Sequence, residues 1–302
     1  MMISLSRRDA VLLVLLTLSW GVTWPVMKYG VRDLPPLFFR ALCAAGALLI
    51  LWLVARLNGV SLQVQRSDWV GIVRLAVPNV VVWHVTVILA LTLLPAGRSA
   101  ILGYTMPLWA AVIGALWYGE HPPARHWVGV VAALLATGLL LSSELTSLAG
   151  RPVGTLLMLF AAASWGYGTH QARRYAIHIH PLAAIFWMLM LALLVLLTAS
   201  AALESDRWRL PRPYEWAAIG FNSSISMAFC HVVWLRLARR LPPAASGLSM
   251  MMIPALGVFS SMWLLGEQPR WQDFVALALI VFSLATVLLP SRAKAGQPTE
   301  AS

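Results

Sequence analysis

The feature that most limits how this chain can fold is a succession of long stretches without one Asp, Glu, Lys or Arg. They cover residues 10–27, 41–55, 75–97, 99–119, 126–143, 152–172, 175–203, 216–235, 241–266 and 274–291. Crossing about 30 Å of hydrocarbon at 1.5 Å per residue takes about 20 apolar residues in a helix. Only helices and closed barrels satisfy every backbone group in lipid, and these runs are too long for barrel strands. The second stretch is short, and 34–39 extends it if Arg40 is tolerated near one end. A Pro/Gly turn at Leu94-Pro95-Ala96-Gly97 separates the third from the fourth. The chain therefore reads as an all-α membrane protein of ten transmembrane helices.

Composition agrees: 60% of the 302 residues are hydrophobic and 11% charged, against roughly 25% charged in a soluble domain. The net charge of +11 needs no nucleic acid, because basic residues at helix ends meet anionic headgroups. Arg7-Arg8 before an apolar run resembles a signal peptide, but the run is long, contains Trp20, Trp24 and Pro25, and lacks a small-x-small cleavage site. It reads as helix 1. With the N-terminus inside, eleven basic residues fall on cytoplasmic segments and seven outside, so both termini are expected in the cytoplasm. Residues 292–302 read as a disordered tail.

Cys43 and Cys230 lie inside apolar runs, where small buried hydrophobes is the default reading. Cys/His pairs at metal-ligand spacing and Gly-rich phosphate loops are missing, so neither cofactor nor catalysis is expected. The expected partners are a small-molecule substrate and the lipid bilayer. The oligomeric state stays open, a monomer being compatible with the sequence.

An internal repeat organises the chain. Leu94-Pro95-Ala96, Pro107, Gly119-Glu120 and Pro122 recur 147 residues later as Leu241-Pro242-Pro243, Pro254, Gly266-Glu267 and Pro269. Asp68-Trp69 and His84 match Glu215-Trp216 and His231 at the same offset. Trp20-Gly21, Lys28 and Pro36 match Trp165-Gly166, Arg173 and Pro181 at an offset of 145. Residues 1–143 and 152–291 thus form two units of five spans. Five is odd, so the second copy enters the membrane inverted, a recurring transporter design with the substrate held between the halves.

The same residues carry a family resemblance. Trp20-Gly-Val-Thr-Trp-Pro-Val-Met-Lys28, Pro36-Leu-Phe-Phe-Arg40 and Leu102-Gly-Tyr-Thr-Met-Pro107 followed by Gly119-Glu120 resemble the first, second and fourth helices of the EamA-type drug/metabolite transporters. Met252-Ile-Pro254 and Gly266-Glu267 repeat the last motif. The resemblance spans roughly residues 8–290 and implies a secondary transporter of the inner membrane exporting small metabolites, amino acids or relatives. Efflux of drugs or toxic apolar or cationic solutes is the alternative within transport, and a membrane scaffold or sensor the alternative of another class. Arg40 has Ile185 as its counterpart, and His121 and Gln268 stand where the family often has Arg.

No acid lies within an apolar stretch, which argues against the mechanism of small multidrug pumps, whose cation or proton partner is such an acid. Histidine is the remaining titratable candidate. His84 and His231 serve either as hydrogen-bonding glue between helices or as cavity lining. Ser224, Met227, His231 and Trp234 share one face at α-helical spacing. Among 15 tryptophans, Trp69, Trp117, Trp127, Trp208, Trp216 and Trp271 sit at span ends as an interfacial belt. Trp20, Trp24, Trp83, Trp109, Trp165 and Trp234 lie deeper, packed against neighbours or clustered around an amphipathic solute.

The candidate substrate-binding residues are therefore Trp20, Thr23, Trp24, His84, Tyr104, Trp165, His231 and Trp234. Pro107 and Pro254 are expected to kink helices 4 and 9 and, with the end-of-helix residues Glu120 and Glu267, to form hinges or gates. Lys28 and Arg40 are expected to snorkel toward headgroups, or Arg40 to line an outer vestibule that attracts carboxylates.

Overall fold

The structure is a computed structural model that describes residues 7–146, 152–175, 179–238 and 243–288. Among them lie ten helical runs: α1 (Arg7–Gly30), α2 (Pro36–Leu57), α3 (Arg66–Leu93), α4 (Ala96–Tyr118), α5 (Ala124–Thr146), α6 (Pro152–Arg174), α7 (Pro181–Leu203), α8 (Pro213–Trp234), α9 (Pro243–Leu265) and α10 (Trp271–Leu288). Eight are long and apolar enough to cross a membrane; α6 and α9 complete the bundle. The expected tail 292–302, the segment 147–150 and the Leu241-Pro242 half of the repeated turn lie outside the described residues.

Local sequence explains most boundaries. Proline opens α2, α6, α7, α8 and α9, where its missing N–H belongs to the unpaired first turn anyway. Gly119 and Gly266 close α4 and α9 with φ of 62° and 65°, a left-handed turn that a side chain would strain. The following N–H reaches back in both: Glu120 to the Gly114 carbonyl at 3.0 Å and Glu267 to that of Ser261 at 3.4 Å. Each bond spans six residues, one more than the six-to-one bond of a Schellman cap, and it forms twice at repeat-related positions. The outer helix faces stay apolar, with Leu134, Phe160, Phe259 and Trp263 exposed, as a lipid-facing surface requires.

Two helices depart from α geometry at matched places. Val77–Val82 in α3 and Asn222–Phe229 in α8 are π-helical. Wider turns of this kind rotate every residue beyond them relative to an α-helical register. The prolines act differently from each other. Helix α4 breaks after Gly103 and restarts at Met106, placing Pro107 in the new first turn. Pro254 sits inside an unbroken α9.

The principal packing pairs follow one rule. Helix α1 packs on α9 and α4 on α6; α3 packs on α6 and α8 on α1; α2 packs on α8 and α7 on α3. The pairs α2–α7, α5–α10 and α4–α9 are also in contact. Advancing these helices by five places, counted around ten, maps each of these pairs onto another or onto itself, whereas α1–α4 and α5–α6 lack a comparable counterpart.

Candidate functional site

Where α3, α6, α7 and α8 converge, they enclose a cavity of about 270 Å³ lined by Asn79, His84, Trp165, Thr169, Ile185, Met188, Met227, His231 and Trp234, among others. The two histidines matched by the repeat share one wall. Trp83 meets Trp165 edge-on with ring centres 5.0 Å apart. Trp20 packs behind Trp234 at 5.9 Å and against His231 at 6.2 Å. Each deep tryptophan of the repeat pair thus packs edge-on or tilted against an aromatic neighbour from another helix.

Of the expected substrate-binding residues, the structure brings His84, Trp165, His231 and Trp234 to this wall. The other four lie elsewhere. Trp20 is one layer back. Trp24 is buried against Tyr104, 6.5 Å between ring centres, and its ring would touch any side chain at Gly103. Thr23 is buried and donates to the Ser19 carbonyl at 2.8 Å. Ser224 also leaves the expected face, donating to the Gly220 carbonyl at 2.6 Å, because the π-helical turns rotate it away from Met227, His231 and Trp234. Asn79 and Thr169 are additions to the expected set. Asn79 announces itself as an amide inside an apolar run, and Gly168 leaves room for its side chain; Thr169 carries no comparable signal.

Arg40 corrects a second expectation. It neither snorkels nor lines a vestibule: it is 3% exposed, between α1, α3 and α8. Its Nη2 lies 2.8 Å from His84 Nδ1, and its Nη1 lies 3.4 Å from Asn222 Oδ1 and 3.2 Å from Met27 Sδ. A guanidinium only donates, so His84 Nδ1 accepts and a neutral ring carries its proton on Nε2. Lys28 does not snorkel either. Its ammonium donates to the carbonyls of Leu91 at 2.6 Å and Leu94 at 2.9 Å, satisfying acceptors at the end of α3.

The acids sit at helix ends, as the sequence reading has them, but several are buried there. Glu267 accepts from the Ala96 N–H at 2.6 Å and the Gly97 N–H at 3.1 Å, capping α4 from the other half of the molecule. Glu204 caps α2 through the N–H groups of Leu37 and Phe38 at 3.2 and 2.9 Å. Asp273 pairs with Arg98 Nε at 2.8 Å and takes the Arg270 N–H at 2.8 Å. Glu120, the repeat mate of Glu267, is placed differently. Its carboxylate is 3.3 Å from His170 Nδ1 and its side chain 45% exposed, while His170 Nε2 donates to the Ala110 carbonyl at 2.7 Å.

Clefts of about 470 and 560 Å³ also open at the Glu267 end, lined by Arg32, Asp33 and Glu204 in one and Lys28 and Glu267 in the other. They are larger than the cavity between α3, α6, α7 and α8, but their polar groups Lys28, Asp33, Glu204 and Glu267 are committed to protein partners.

A family model for the EamA-like transporter family matches residues 8–142 and again residues 152–289. The chain belongs to the EamA-like transporter family. It is a multi-pass membrane protein. It is similar to the inner membrane transporter YedA of Escherichia coli (strain K12), with 28% identity over 283 residues, 91% of this chain and 88% of that protein. A probable amino-acid metabolite efflux pump of the same organism is 21% identical over 300 residues, 93% of this chain and 94% of the pump. A solved crystal structure 20% identical in sequence shares the fold at a TM-score of 0.67, covering 95% of this chain and 98% of its own.

Proposed function

We propose that the protein is a secondary transporter of the inner membrane that exports small metabolites, amino acids or their relatives, by alternating access. The two units of five spans are inverted repeats, both termini are cytoplasmic, and the present conformation is inward-facing. One observation carries this reading: the cavity holds His84 and His231 at repeat-related positions, and it lies between halves whose packing pairs exchange when the repeats do. Inverted halves have two arrangements of comparable energy, each opening the shared site to one side.

The end bearing Glu267 is tied by the α4 cap, the Lys28 bonds to α3 and the Arg98–Asp273 pair. The cavity instead reaches along α6 and α8 to Ala172 and Trp234, near the helix ends that face the cytoplasm in this topology. The break at Tyr104–Thr105 and the proline in α9 supply the bending points. A wall of two indoles, two imidazoles, methionines, Asn79 and Thr169 suits a solute with an apolar body and a few polar atoms. The same aromatic and methionine surface favours a second reading, efflux of apolar drug-like solutes.

Solute counterflow in proteoliposomes separates the two. Amino acids should exchange across the membrane, and Trp165→Ala should lower the rate far more than Trp271→Ala, which alters only an exposed helix end. Equal effects of the two substitutions would remove the cavity from the mechanism. Exchange of hydrophobic dyes in place of amino acids would favour the drug-efflux reading.

A further inference from the structure

Ile185, which lines the cavity, is the repeat counterpart of Arg40. Arg40 itself stands one layer behind the wall, reached through the His84 ring. Its surroundings are poor for a permanent cation. Nη1 has a thioether and a long amide contact, Nη2 has one imidazole nitrogen, and Nε is buried without a hydrogen bond. Among the described residues no carboxylate pairs with it. Arg98, which is also buried, shows the usual solution in its bond to Asp273. An ionised group kept inside a membrane protein without its counter-charge marks a site whose counter-charge arrives with a ligand.

The repeat says when Arg40 would meet that ligand. Asn79, Trp165, Thr169 and Ile185 line the present cavity; their counterparts are Ser226, Trp20, Trp24 and Arg40. His84 and His231 are counterparts of each other and serve both arrangements. Exchanging the halves therefore swaps Ile185 for Arg40 on the wall and brings Trp20 and Trp24 forward beside it.

We propose that Arg40 is the recognition residue for a carboxylate on the transported solute, engaged in the arrangement opposite to the one described. Nε and Nη2 form a planar fork that matches a carboxylate's two oxygens. Nε is free already, and Nη2 becomes so when His84 gives way. This inference rests on the alternating-access reading for its geometry. It names what that reading leaves open: the solute carries an acid group, and only one of the two arrangements offers it a cation. Acid binding pulls the population toward that arrangement, because a ligand shifts an equilibrium by its difference in affinity for the two states.

The test uses the full chain in nanodiscs, with L-leucine and L-phenylalanine as probes beside L-leucinamide and L-phenylalaninamide. Each amide keeps the side chain and the amine and removes the negative charge. Binding is read by thermal shift, and Arg40→Gln and Arg40→Lys are measured alongside, first without ligand. The acids should raise the melting temperature and the amides should not. Arg40→Gln should melt at or above the wild-type temperature without ligand, because a neutral group replaces an uncompensated charge. It should bind the acids about tenfold more weakly or worse, the loss expected for one charge-assisted bond, and Arg40→Lys should retain part of the binding.

Equal binding of acids and amides by the wild type, binding of no probe, or unchanged acid binding by Arg40→Gln would each overturn the proposal. A large fall in melting temperature for both variants without ligand would make Arg40 structural and overturn it as well. Counterflow with the same four compounds keeps the two readings apart. Exchange without preference for the acids removes the Arg40 site and leaves transport, whereas acid binding without exchange leaves the site and removes transport.

Discussion

The two ends of this molecule were built from one pattern and have become different. Glu267 and Glu120 both follow a left-handed glycine that ends a helix, and both reach back six residues with their N–H. Yet both oxygens of Glu267 are bonded to the first N–H groups of α4, while Glu120 faces an imidazole and is nearly half exposed. Asp273, in the first turn of α10, closes a buried pair with Arg98; its counterpart is His126, whose Nε2 is buried without a hydrogen bond. A duplicated motif fixes where a carboxylate stands along the chain. What the carboxylate does is decided by which helix start lies opposite, and that depends on the conformation of the whole bundle.

The sharpest way to break this comparison is to cut matched residues at the two ends. Asp273→Ala removes the carboxylate that pairs with buried Arg98, and losing one partner of a buried pair costs about 3–5 kcal/mol. His126→Ala removes a group that bonds nothing and should cost less than about 1 kcal/mol. Thermal midpoints of the purified protein measure both, and equal losses would mean the ends are tied alike. A smaller contrast is expected at the glutamates. Glu267→Gln weakens two charge-assisted bonds to backbone N–H groups, about 1.5–3 kcal/mol, and should speed hydrogen exchange at Ala96 and Gly97. Glu120→Gln alters a partly solvated contact worth about 0.5 kcal/mol or less and should leave those two amides protected. Slow exchange in both variants would show that Glu267 does not hold this end shut.

The sequence made much of this frame legible, and for a physical reason. Lipid forces every span to declare itself as an uncharged run, and duplication then repeats the markers that need particular chemistry: proline at helix starts, glycine at left-handed caps, glutamate after them. His84, Trp165, His231 and Trp234 could be named because imidazole and indole stand out in such runs. Other features depend on partners far away in the chain. The π-helical turns that rotate Ser224 off the expected face leave no sequence mark: Pro78 sits in the first of them, and the second contains no proline. The burial of Arg40 was hidden because its acceptors come from Met27, His84 and Asn222 on three other helices. The same holds for Glu204, which lies in a loop by sequence and caps α2 from 167 residues away.

The smallest effect concerns an exposed acid at the Glu267 end. Asp33, in the turn after α1, accepts from the Tyr214 hydroxyl and from Arg212 at 3.4 Å. The Tyr214 hydrogen bond, helped by the arginines around it, holds its carboxyl below the usual carboxylate range. A lowered pKa in the folded protein means that the ionised form is the one the fold favours. The stabilisation is present above the unfolded value, near pH 4, and is lost as the pH falls through the folded value. Hydrogen exchange of the turn around Asp33, in the protein and in Asp33→Asn at matched pH, isolates this contact because intrinsic exchange rates cancel. Near neutral pH the turn should be better protected in the protein than in the variant. Below pH 4 the difference should fade, since a protonated Asp33 and an asparagine are then alike in charge. Tyr214→Phe should move the loss to higher pH by removing the principal cause of the shift. Glu267, bonded twice to backbone on the same end, should keep Ala96 and Gly97 protected while the Asp33 turn loosens. If the turn and these two amides loosened together, the exposed acid and the backbone-bonded one would be parts of a single latch.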